Sequence, residues 1–323
     1  MNVACLKRDV LSGGSIGREE ALGLFSAFPG RGDAICEAAN EIRERFCGSV
    51  FDLCTIVNGK SGACSEDCKY CAQSSRFATT TEEYPLLPQA EILRDVRKHA
   101  GRGIPRYSVV TSGRALPRAE LAMLCDTYRQ IGAAGGIALC ASHGLLSRDT
   151  LALLRDAGVE RYHCNLETSR RYFPQICTTH TYDEKIGTIR AAMDVGLSVC
   201  SGCIVGMGEG PEDRVDLALD LRRLGVKSVP VNVLNPIPGT PFAALVPIAP
   251  EEVRATIAVL RFLLPDAAIR LAGGRGLLPD RGRILFAAGA NAAITGDMLT
   301  TSGVTVEEDF EMAASLGFTV GAL

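Results

Sequence analysis

The chain has 323 residues, a formal net charge of −3 and 47% hydrophobic residues. This charge offers no basic surface for nucleic acid, so we expect no nucleic-acid partner. No apolar run reaches the length that spans a membrane, and residues 1–13 lack the apolar segment of a signal peptide, so we expect no membrane partner. Thirteen cysteines without an export signal favour a cytoplasmic location and metal chemistry over disulfides.

From its N-terminus onward, the sequence predicts helices first and then a regular alternation of strands and helices. Residues 19–48 are charged and alanine-rich with helical spacing, which predicts one or two leading helices. From residue 51 onward, short apolar runs alternate with amphipathic stretches. The predicted strands are 51–58, 106–112, 137–141, 161–167, 198–205, 228–234, 268–272 and 292–295. The predicted helices are 89–100, 118–132, 148–157, 182–195, 211–224, 250–264 and 281–288.

Eight strands, nearly all separated by a helix, predict an α/β protein: a (β/α)8 TIM-type barrel with N-terminal helices. An open, doubly wound sheet is the alternative architecture. No linker-like segment divides the sequence, so we expect one domain over residues 1–323. Within it we place leading helices in 1–50, the barrel in 51–300 and a C-terminal tail with a short helix in 301–323.

The loop after the first predicted strand carries three thiols, Cys64, Cys68 and Cys71, spaced C-x3-C-x2-C. Neither a helix nor a strand presents three side chains at these intervals to one point, so a loop must wrap them around a metal centre. Thiolates suit iron–sulfur clusters, and a 4Fe-4S cluster held by three of them keeps one iron open for a small molecule. Zinc is the alternative, but it normally takes a fourth ligand nearby.

The stretch CSEDCKYCAQSSR, at residues 64–76, resembles the radical S-adenosylmethionine superfamily and, within it, the biotin synthases. Later stretches resemble the same family and follow in the same order. They are NLETS at 165–169, GCIVGMGE at 202–209, NVLNPIPGTP at 232–241 and AGAN at 288–291. The resemblance therefore covers residues from about 51 to about 301.

The resemblance implies a specific chemistry. A 4Fe-4S cluster on the loop cysteines would bind S-adenosyl-L-methionine, and an electron from a donor such as flavodoxin or ferredoxin would split it. The resulting 5′-deoxyadenosyl radical would take hydrogens from C9 and C6 of dethiobiotin, and an auxiliary iron–sulfur cluster would supply the sulfur. The positions implied for the cofactor are Tyr70, Asn165, Glu167, Ile204, Gly206 and Gly208, and those implied for the substrate are Asn165 and Asn232. A homodimer is the expected assembly, being the commonest one.

The auxiliary site departs from the family's pattern. Biotin synthases usually hold a 2Fe-2S cluster with three cysteines and one arginine. Cys140, Cys200 and Arg270 match three of these four positions, whereas Ser108 stands at the remaining one. The resemblance implies that Arg270 is a metal ligand or a catalytic neighbour of the cluster.

Two further thiols, Cys164 and Cys203, stand where the family usually has none. We therefore predict a four-iron auxiliary cluster, rather than 2Fe-2S, held by Cys140, Cys164, Cys200 and Cys203, because a four-iron cluster normally takes four thiolates. Residues 200 and 203 would face opposite sides of a regular strand, and Gly202 would have to relieve this by a bulge or a strand end.

Two other functions stay open. Another radical S-adenosylmethionine enzyme of the same branch, hydrogenase-maturase-like or methylornithine-synthase-like, would share the barrel and the loop. It would not require thiols on the third to fifth strands together with Arg270. A non-catalytic iron–sulfur carrier or a structural zinc protein would need no pocket for S-adenosylmethionine.

Overall fold

The computed structural model describes residues 2–301 and 303–322, in which parallel strands form a barrel surrounded by helices. The strands are β1 (Val50–Lys60), β2 (Arg106–Thr111), β3 (Ala138–Ser142), β4 (Arg161–His163), β5 (Ser198–Cys200), β6 (Cys203–Val205), β7 (Ser228–Val233), β8 (Ala268–Leu271), β9 (Ala292–Thr295) and β10 (Thr319–Gly321). The helices are α1 (Val3–Leu11), α2 (Arg18–Cys47), α3 (Gln89–Ala100), α4 (Arg118–Ala134), α5 (Arg148–Asp156), α6 (Phe173–Ile176), α7 (Tyr182–Asp194), α8 (Pro211–Leu224), α9 (Pro250–Leu263), α10 (Arg283–Ala287) and α11 (Val306–Ser315).

The sheet closes on itself because β1 pairs in parallel with both β2 and β9. The strands between them follow in the order β2, β3, β4, β5, β7, β8 and β9. β6 pairs with β7, so β5 and β6 together fill one of the eight positions. The predicted (β/α)8 barrel is confirmed, and the open sheet is excluded.

Two predicted strands are shorter than the apolar pattern indicates. The strand predicted over 161–167 ends at His163, and the one predicted over 198–205 is interrupted at Ser201 and Gly202. A Cβ atom on Gly202 would lie 1.9 Å from the carbonyl oxygen of Pro230 on β7, so the two backbones touch at this point. The Gly202 N–H donates to Asn165 Oδ1 instead, at 2.9 Å, which replaces a ladder bond.

The leading segment forms two helices that pack on each other, and the second of them also packs on the outer helices α8 and α9. α1 precedes the predicted helical range, whereas α2 covers nearly all of it. α2 kinks at Arg31, whose φ of −140° and ψ of 17° are not helical, two residues after Pro29. Proline has no N–H to donate and its ring crowds the preceding turn. No helix within residues 2–301 and 303–322 has the length and apolarity needed to cross a bilayer.

The tail joins the barrel. The short helix predicted there is α11, and β10 follows it. β10 pairs in parallel with the start of β1, with Val50 opposite Thr319 and Asp52 opposite Gly321. The sequence contained no strand prediction for this segment.

Candidate active site

The barrel surrounds a cavity of about 420 Å³. Its walls are inward-facing strand residues together with the loops that follow the carboxyl ends of β1, β2, β3, β4, β7, β8 and β9. Parallel barrels carry their functional residues at this end because every strand delivers a loop there.

The three-cysteine loop forms one wall of the cavity, and all three thiols line it. The loop folds back on itself through backbone hydrogen bonds. The N–H of Cys64 donates to the Gln73 carbonyl at 3.1 Å, and the N–H of Ser75 donates to the Cys64 carbonyl at 2.8 Å. The N–H of Cys71 donates to the Cys68 carbonyl at 2.9 Å. These bonds hold three thiols toward one space, which fits a cluster that takes three thiolates.

Asn165 and Glu167 reach the cavity from the segment that follows β4. Glu167 has a φ of 71°, a left-handed value that is uncommon for residues with a side chain. Its backbone is held on both sides, since its N–H donates to the Gly202 carbonyl and its carbonyl accepts from Ile204, each at 2.9 Å. The Asn165 amide donates to Glu167 Oε2 at 3.3 Å.

Lys185, on α7, is buried beside this carboxylate, with Nζ 4.0 Å from Glu167 Oε1. Burial opposes its charge, but the neighbouring Cys164 and Glu167 outweigh burial and raise the pKa of Lys185. The ammonium group therefore stays charged and compensates the buried carboxylate. The sequence had given no reason to single out this residue.

Gly206 and Gly208 of the GCIVGMGE stretch shape a turn and are not among the residues that line the cavity. Gly206 and Gly208 have φ values of 95° and 98°. The Glu209 carboxylate accepts the N–H groups of Gly206, at 3.0 Å, and Met207, at 2.7 Å. A Cβ atom on Gly208 would lie 2.6 Å from Tyr172 Oη. These two glycines have a backbone role in this turn, and their contact with the cofactor stays a prediction.

The remaining predicted cofactor and substrate positions, Tyr70, Ile204 and Asn232, all line the cavity. The Asn232 side chain is already engaged, because Nδ2 donates to the Cys203 carbonyl at 3.0 Å and Oδ1 accepts from Gly273 at 2.9 Å. Its amide therefore ties β7 to β6 and to the loop after β8.

Four thiols of the barrel strands and their ends line the same cavity, and they are Cys54, Cys140, Cys164 and Cys200. Cys203, which the sequence grouped with Cys140, Cys164 and Cys200, does not line the cavity and packs in the apolar core. The break at Gly202 therefore does not bring Cys203 to the same side as Cys200. Cys54 on β1 takes its place in the set.

Buried guanidinium groups also line the cavity beside these thiols, from Arg106, Arg161 and Arg270. Asp52 is fully buried and pairs with two of them, at 2.9 Å from Arg270 and 3.5 Å from Arg161. The Nη1 of Arg270 donates to the carbonyls of Asp52, at 2.8 Å, and Ala293, at 2.9 Å. Its Nη2 makes no hydrogen bond with the described residues. Three buried cations around one fully buried carboxylate favour a further anion here.

Cys140 lies beside buried positive charge. Arg106 Nη1 lies 4.0 Å from Cys140 Sγ and 3.7 Å from the largely exposed Glu160 carboxylate. Burial opposes ionisation, but the hydrogen bond from Cys54 and the charges of Arg106 and Arg161 outweigh it and lower the pKa of Cys140 to about 6. The same hydrogen bond and burial raise the pKa of Cys54. The surroundings of Cys140 therefore favour its thiolate, the form that binds iron.

Several residues in or beside the cavity had carried no functional prediction. A signal for Cys54 was present, since inward-facing residues alternate along a strand and both Cys54 and Ile56 of β1 line the cavity. His163, at the end of β4, lines it opposite Cys200 on β5. Cys177 and His180 lie against Cys68, more than 100 residues away along the chain, and no local pattern predicts that contact.

Comparisons with known proteins agree with this architecture. Residues 60–221 match the model of the Radical SAM superfamily, and residues 230–319 match the Biotin and Thiamin Synthesis associated domain. A solved methylornithine synthase superposes with a TM-score of 0.85 at 18% identity, over 98% of this chain and 97% of that one. A maturase of the [FeFe]-hydrogenase superposes with a TM-score of 0.84 at 16% identity, over 99% of this chain and 76% of that one. Identities this low show the fold alone.

The barrel, its three-cysteine loop and the superfamily match define a radical S-adenosylmethionine enzyme. The chain is 55% identical over 311 residues to a biotin synthase of Akkermansia muciniphila, covering 96% of each. It is 50% identical over 314 residues to a biotin synthase of Clostridium botulinum, covering 97% of this chain and 98% of that one. This chain belongs to the biotin synthase family.

Proposed function

We propose that this chain inserts sulfur between C6 and C9 of dethiobiotin. The observation that carries the proposal is a single cavity with two groups of thiols. The three loop cysteines form one wall, and the barrel thiols with their arginines form another. When bound, the loop cluster and S-adenosylmethionine supply the hydrogen-abstracting radical, and the auxiliary cluster supplies the sulfur.

The residues beside the loop would bind and orient the cofactor. The Glu167 carboxylate can accept the two ribose hydroxyl groups, and Asn165 and Lys185 hold it in place. The strained backbone of Glu167 is maintained by its bonds to the β5–β6 break, so the carboxylate is positioned before any ligand arrives. Enclosure in the barrel keeps water and other hydrogen donors away from a reactive radical.

The auxiliary cluster in this proposal is a four-iron cluster held by Cys54, Cys140, Cys164 and Cys200, with Cys54 in place of Cys203. Four barrel thiols that line one cavity match the number that such a cluster takes. Arg270 is then a charge partner and not a ligand, because Nη1 is occupied by two backbone carbonyls. Its Nη2 forms the ion pair with Asp52 but makes no hydrogen bond within the described part of the chain, so it can still donate to a cluster sulfide.

The substrate assignment is tested with reduced, cluster-loaded protein, dethiobiotin and S-adenosylmethionine. We expect 5′-deoxyadenosine together with biotin or a thiolated intermediate. A variant with Cys64→Ala, Cys68→Ala and Cys71→Ala is the control and should form none of these products. Deoxyadenosine from the unmodified chain without any sulfur-containing product would show that the substrate is wrong.

The auxiliary ligands are tested in that same triple variant, in which the loop cannot hold its cluster. We expect about four irons per chain, bound by the barrel thiols. Adding Cys54→Ala should lower the iron content and change the visible spectrum, whereas adding Cys203→Ala should change neither. About two irons, or dependence on Cys203 and not on Cys54, would contradict this ligand set.

The proposal also includes a cytoplasmic homodimer that receives electrons from a flavodoxin or a ferredoxin. All thirteen cysteines lie within the described residues and all are free, which suits a reducing compartment. Sedimentation of the purified chain tests the dimer, and reduction of the loop cluster by each purified donor tests the electron source. A monomer at micromolar concentration would contradict the assembly.

A further inference from the structure

A second group of metal-binding side chains lies next to the three-cysteine loop. Cys177 and His180 follow α6 and are buried, with 2% and 7% of their surface exposed. The sulfur atoms of Cys68 and Cys177 are 3.8 Å apart. The Nδ1 and Nε2 atoms of His180 lie 3.3 Å and 3.7 Å from the Cys177 sulfur. The donor atoms of these three residues all lie within 4.8 Å of one another.

The separation of the two sulfur atoms and the 3.7 Å from Cys177 Sγ to His180 Nε2 match those around a single tetrahedral ion. Two thiolates at about 2.3 Å from zinc lie about 3.8 Å apart, and a thiolate and an imidazole nitrogen lie about 3.6 Å apart. Thiolate and imidazole are also the ligand types that Zn²⁺ and Fe²⁺ accept, and zinc binds such sets more tightly.

The His180 ring is oriented by a carboxylate, as metal-bound histidines are. Nδ1 lies 2.6 Å from Glu66 Oε2, so Nδ1–H donates to Glu66 and the lone pair of Nε2 is left for a metal. Glu66 is fixed in turn, because the hydroxyl of Thr179 donates to Oε2 at 2.9 Å and Arg114 donates to it at 3.2 Å.

The two segments that carry the ligands are tied together independently of any metal. Asp67 Oδ1 accepts the N–H groups of Thr178, at 2.8 Å, and Thr179, at 3.2 Å. The N–H of Lys69 donates to the carbonyl of Ile176 at 2.9 Å. The geometry of the ligands is therefore set before an ion binds.

We propose that Cys68, Cys177 and His180 bind one thiophilic divalent cation, Zn²⁺ or Fe²⁺, when the loop holds no cluster. Three protein ligands leave the fourth position to water, which suits an ion that exchanges and not a structural ion with a closed shell. Because Cys68 belongs to both sets, an ion held here occupies a thiolate that the loop cluster needs. Ferrous iron at this site would arrive next to the cluster position, whereas zinc would delay cluster assembly.

Cobalt is the probe for this site, since Co²⁺ replaces zinc and thiolate–cobalt charge transfer absorbs in the near ultraviolet. The full-length, cluster-free, reduced chain is titrated with Co²⁺ without oxygen. A double variant with Cys68→Ser and Cys177→Ser should lose the charge-transfer band of this site, and Cys177→Ser alone should lose about half of that intensity. We expect His180→Gln to raise the Kd for Co²⁺ by about tenfold or more. Cys71→Ser is the matched loop control and should leave this band unchanged. The barrel thiols are the same in all variants, so the differences isolate the site.

A Cys177→Ser spectrum equal to that of the unmodified chain would overturn the proposal, as would a Cys71→Ser variant that loses the band as completely as Cys68→Ser. Far-ultraviolet circular dichroism of each variant checks that the barrel is folded. Loss of the cobalt band on adding Zn²⁺ or Fe²⁺ supports the proposal and identifies the tighter ion, and retention of the band with both contradicts it. These spectra do not depend on sulfur insertion, so their outcome is independent of the proposed function.

The competition with cluster assembly rests on the proposed loop cluster and has its own readout. One equivalent of Zn²⁺, added before iron and sulfide, should slow the growth of the cluster absorption in the unmodified chain and have no effect in Cys177→Ser. Equal slowing in both proteins would contradict competition at this site.

Discussion

At the scale of single residues, Asp52 is the anion that allows several arginines to be buried inside the barrel. It is fully buried on β1 and pairs with Arg270 at 2.9 Å and Arg161 at 3.5 Å. Neither of its carboxylate oxygens accepts a hydrogen bond within the described residues, so its contribution is one of charge. When the chain holds no cluster, the Asp52 carboxylate compensates the positive charge of these arginines. An anionic cluster in the cavity would share this role.

We expect Asp52→Asn to lower the free energy of unfolding of the cluster-free chain by about 3–5 kcal/mol, because it leaves buried guanidinium groups without their anion. Denaturant titration measures the change. The control is Asp266→Asn, which breaks the exposed pair with Lys227 and should cost no more than about 1 kcal/mol. Similar small losses in both variants would show that Asp52 is dispensable for stability.

At the scale of secondary-structure elements, the interruption between β5 and β6 organises the cofactor side of the cavity. The bonds that hold Asn165 and Glu167 converge on Gly202 and Ile204, at or next to this interruption. The bonds of Glu167 to Gly202 and Ile204 form an isolated parallel bridge between Glu167 and Cys203, so the start of β6 holds the segment that carries the carboxylate. The Asn165 side chain accepts the Gly202 N–H and adds a second attachment at the interruption.

We expect Gly202→Ala to destabilise the fold by about 1–3 kcal/mol, since the new methyl group would meet the Pro230 carbonyl and force β5 and β7 apart. It should also weaken binding of S-adenosylmethionine to the cluster-loaded chain, because Asn165 loses its partner. Thermal unfolding and a binding titration measure the two effects. Gly187→Ala in α7 is the matched control, since open space surrounds it and alanine favours a helix by up to about 1 kcal/mol. Unchanged stability and binding in Gly202→Ala would refute the role of the interruption.

At the scale of the whole molecule, the C-terminal tail is part of the barrel's structure. β10 pairs with the start of β1, and α11 carries Asp309, which is fully buried and lies 2.5 Å from the buried Arg275. Arg275 follows β8, so the ion pair fastens the tail to the last part of the barrel. Barrel and tail should therefore unfold together.

We expect Asp309→Asn to lower the free energy of unfolding by about 3–5 kcal/mol, because it leaves the Arg275 guanidinium buried without its anion. Hydrogen exchange should show faster exchange in β10 and in the start of β1. Glu311→Gln, an exposed change on the same helix, should stay within about 0.5 kcal/mol of the unmodified chain. Faster exchange confined to α11 would mean that the tail is independent of the barrel.

The sequence by itself determined the alternation of strands and helices, the closed barrel and the three-cysteine loop. Each of these depends on local spacing, which hydrophobic periodicity and motif length record directly. It also indicated an auxiliary site with four thiols, and three of its four members line the cavity. The end of β5 was misplaced because a contact between Gly202 and the β7 backbone, remote in sequence, lies at this point.

Only the tertiary structure decided which thiols share a space. Cys203 follows the strand interruption at Gly202 and lies outside the cavity. Cys54 lines the cavity from β1, a strand on which the sequence predicted no functional residue. The contact of Cys68 with Cys177 and His180 joins segments that meet through the folding of the barrel's loops. The physical reason is that side-chain direction and long-range contact depend on closure of the barrel, whereas local sequence sets only periodicity.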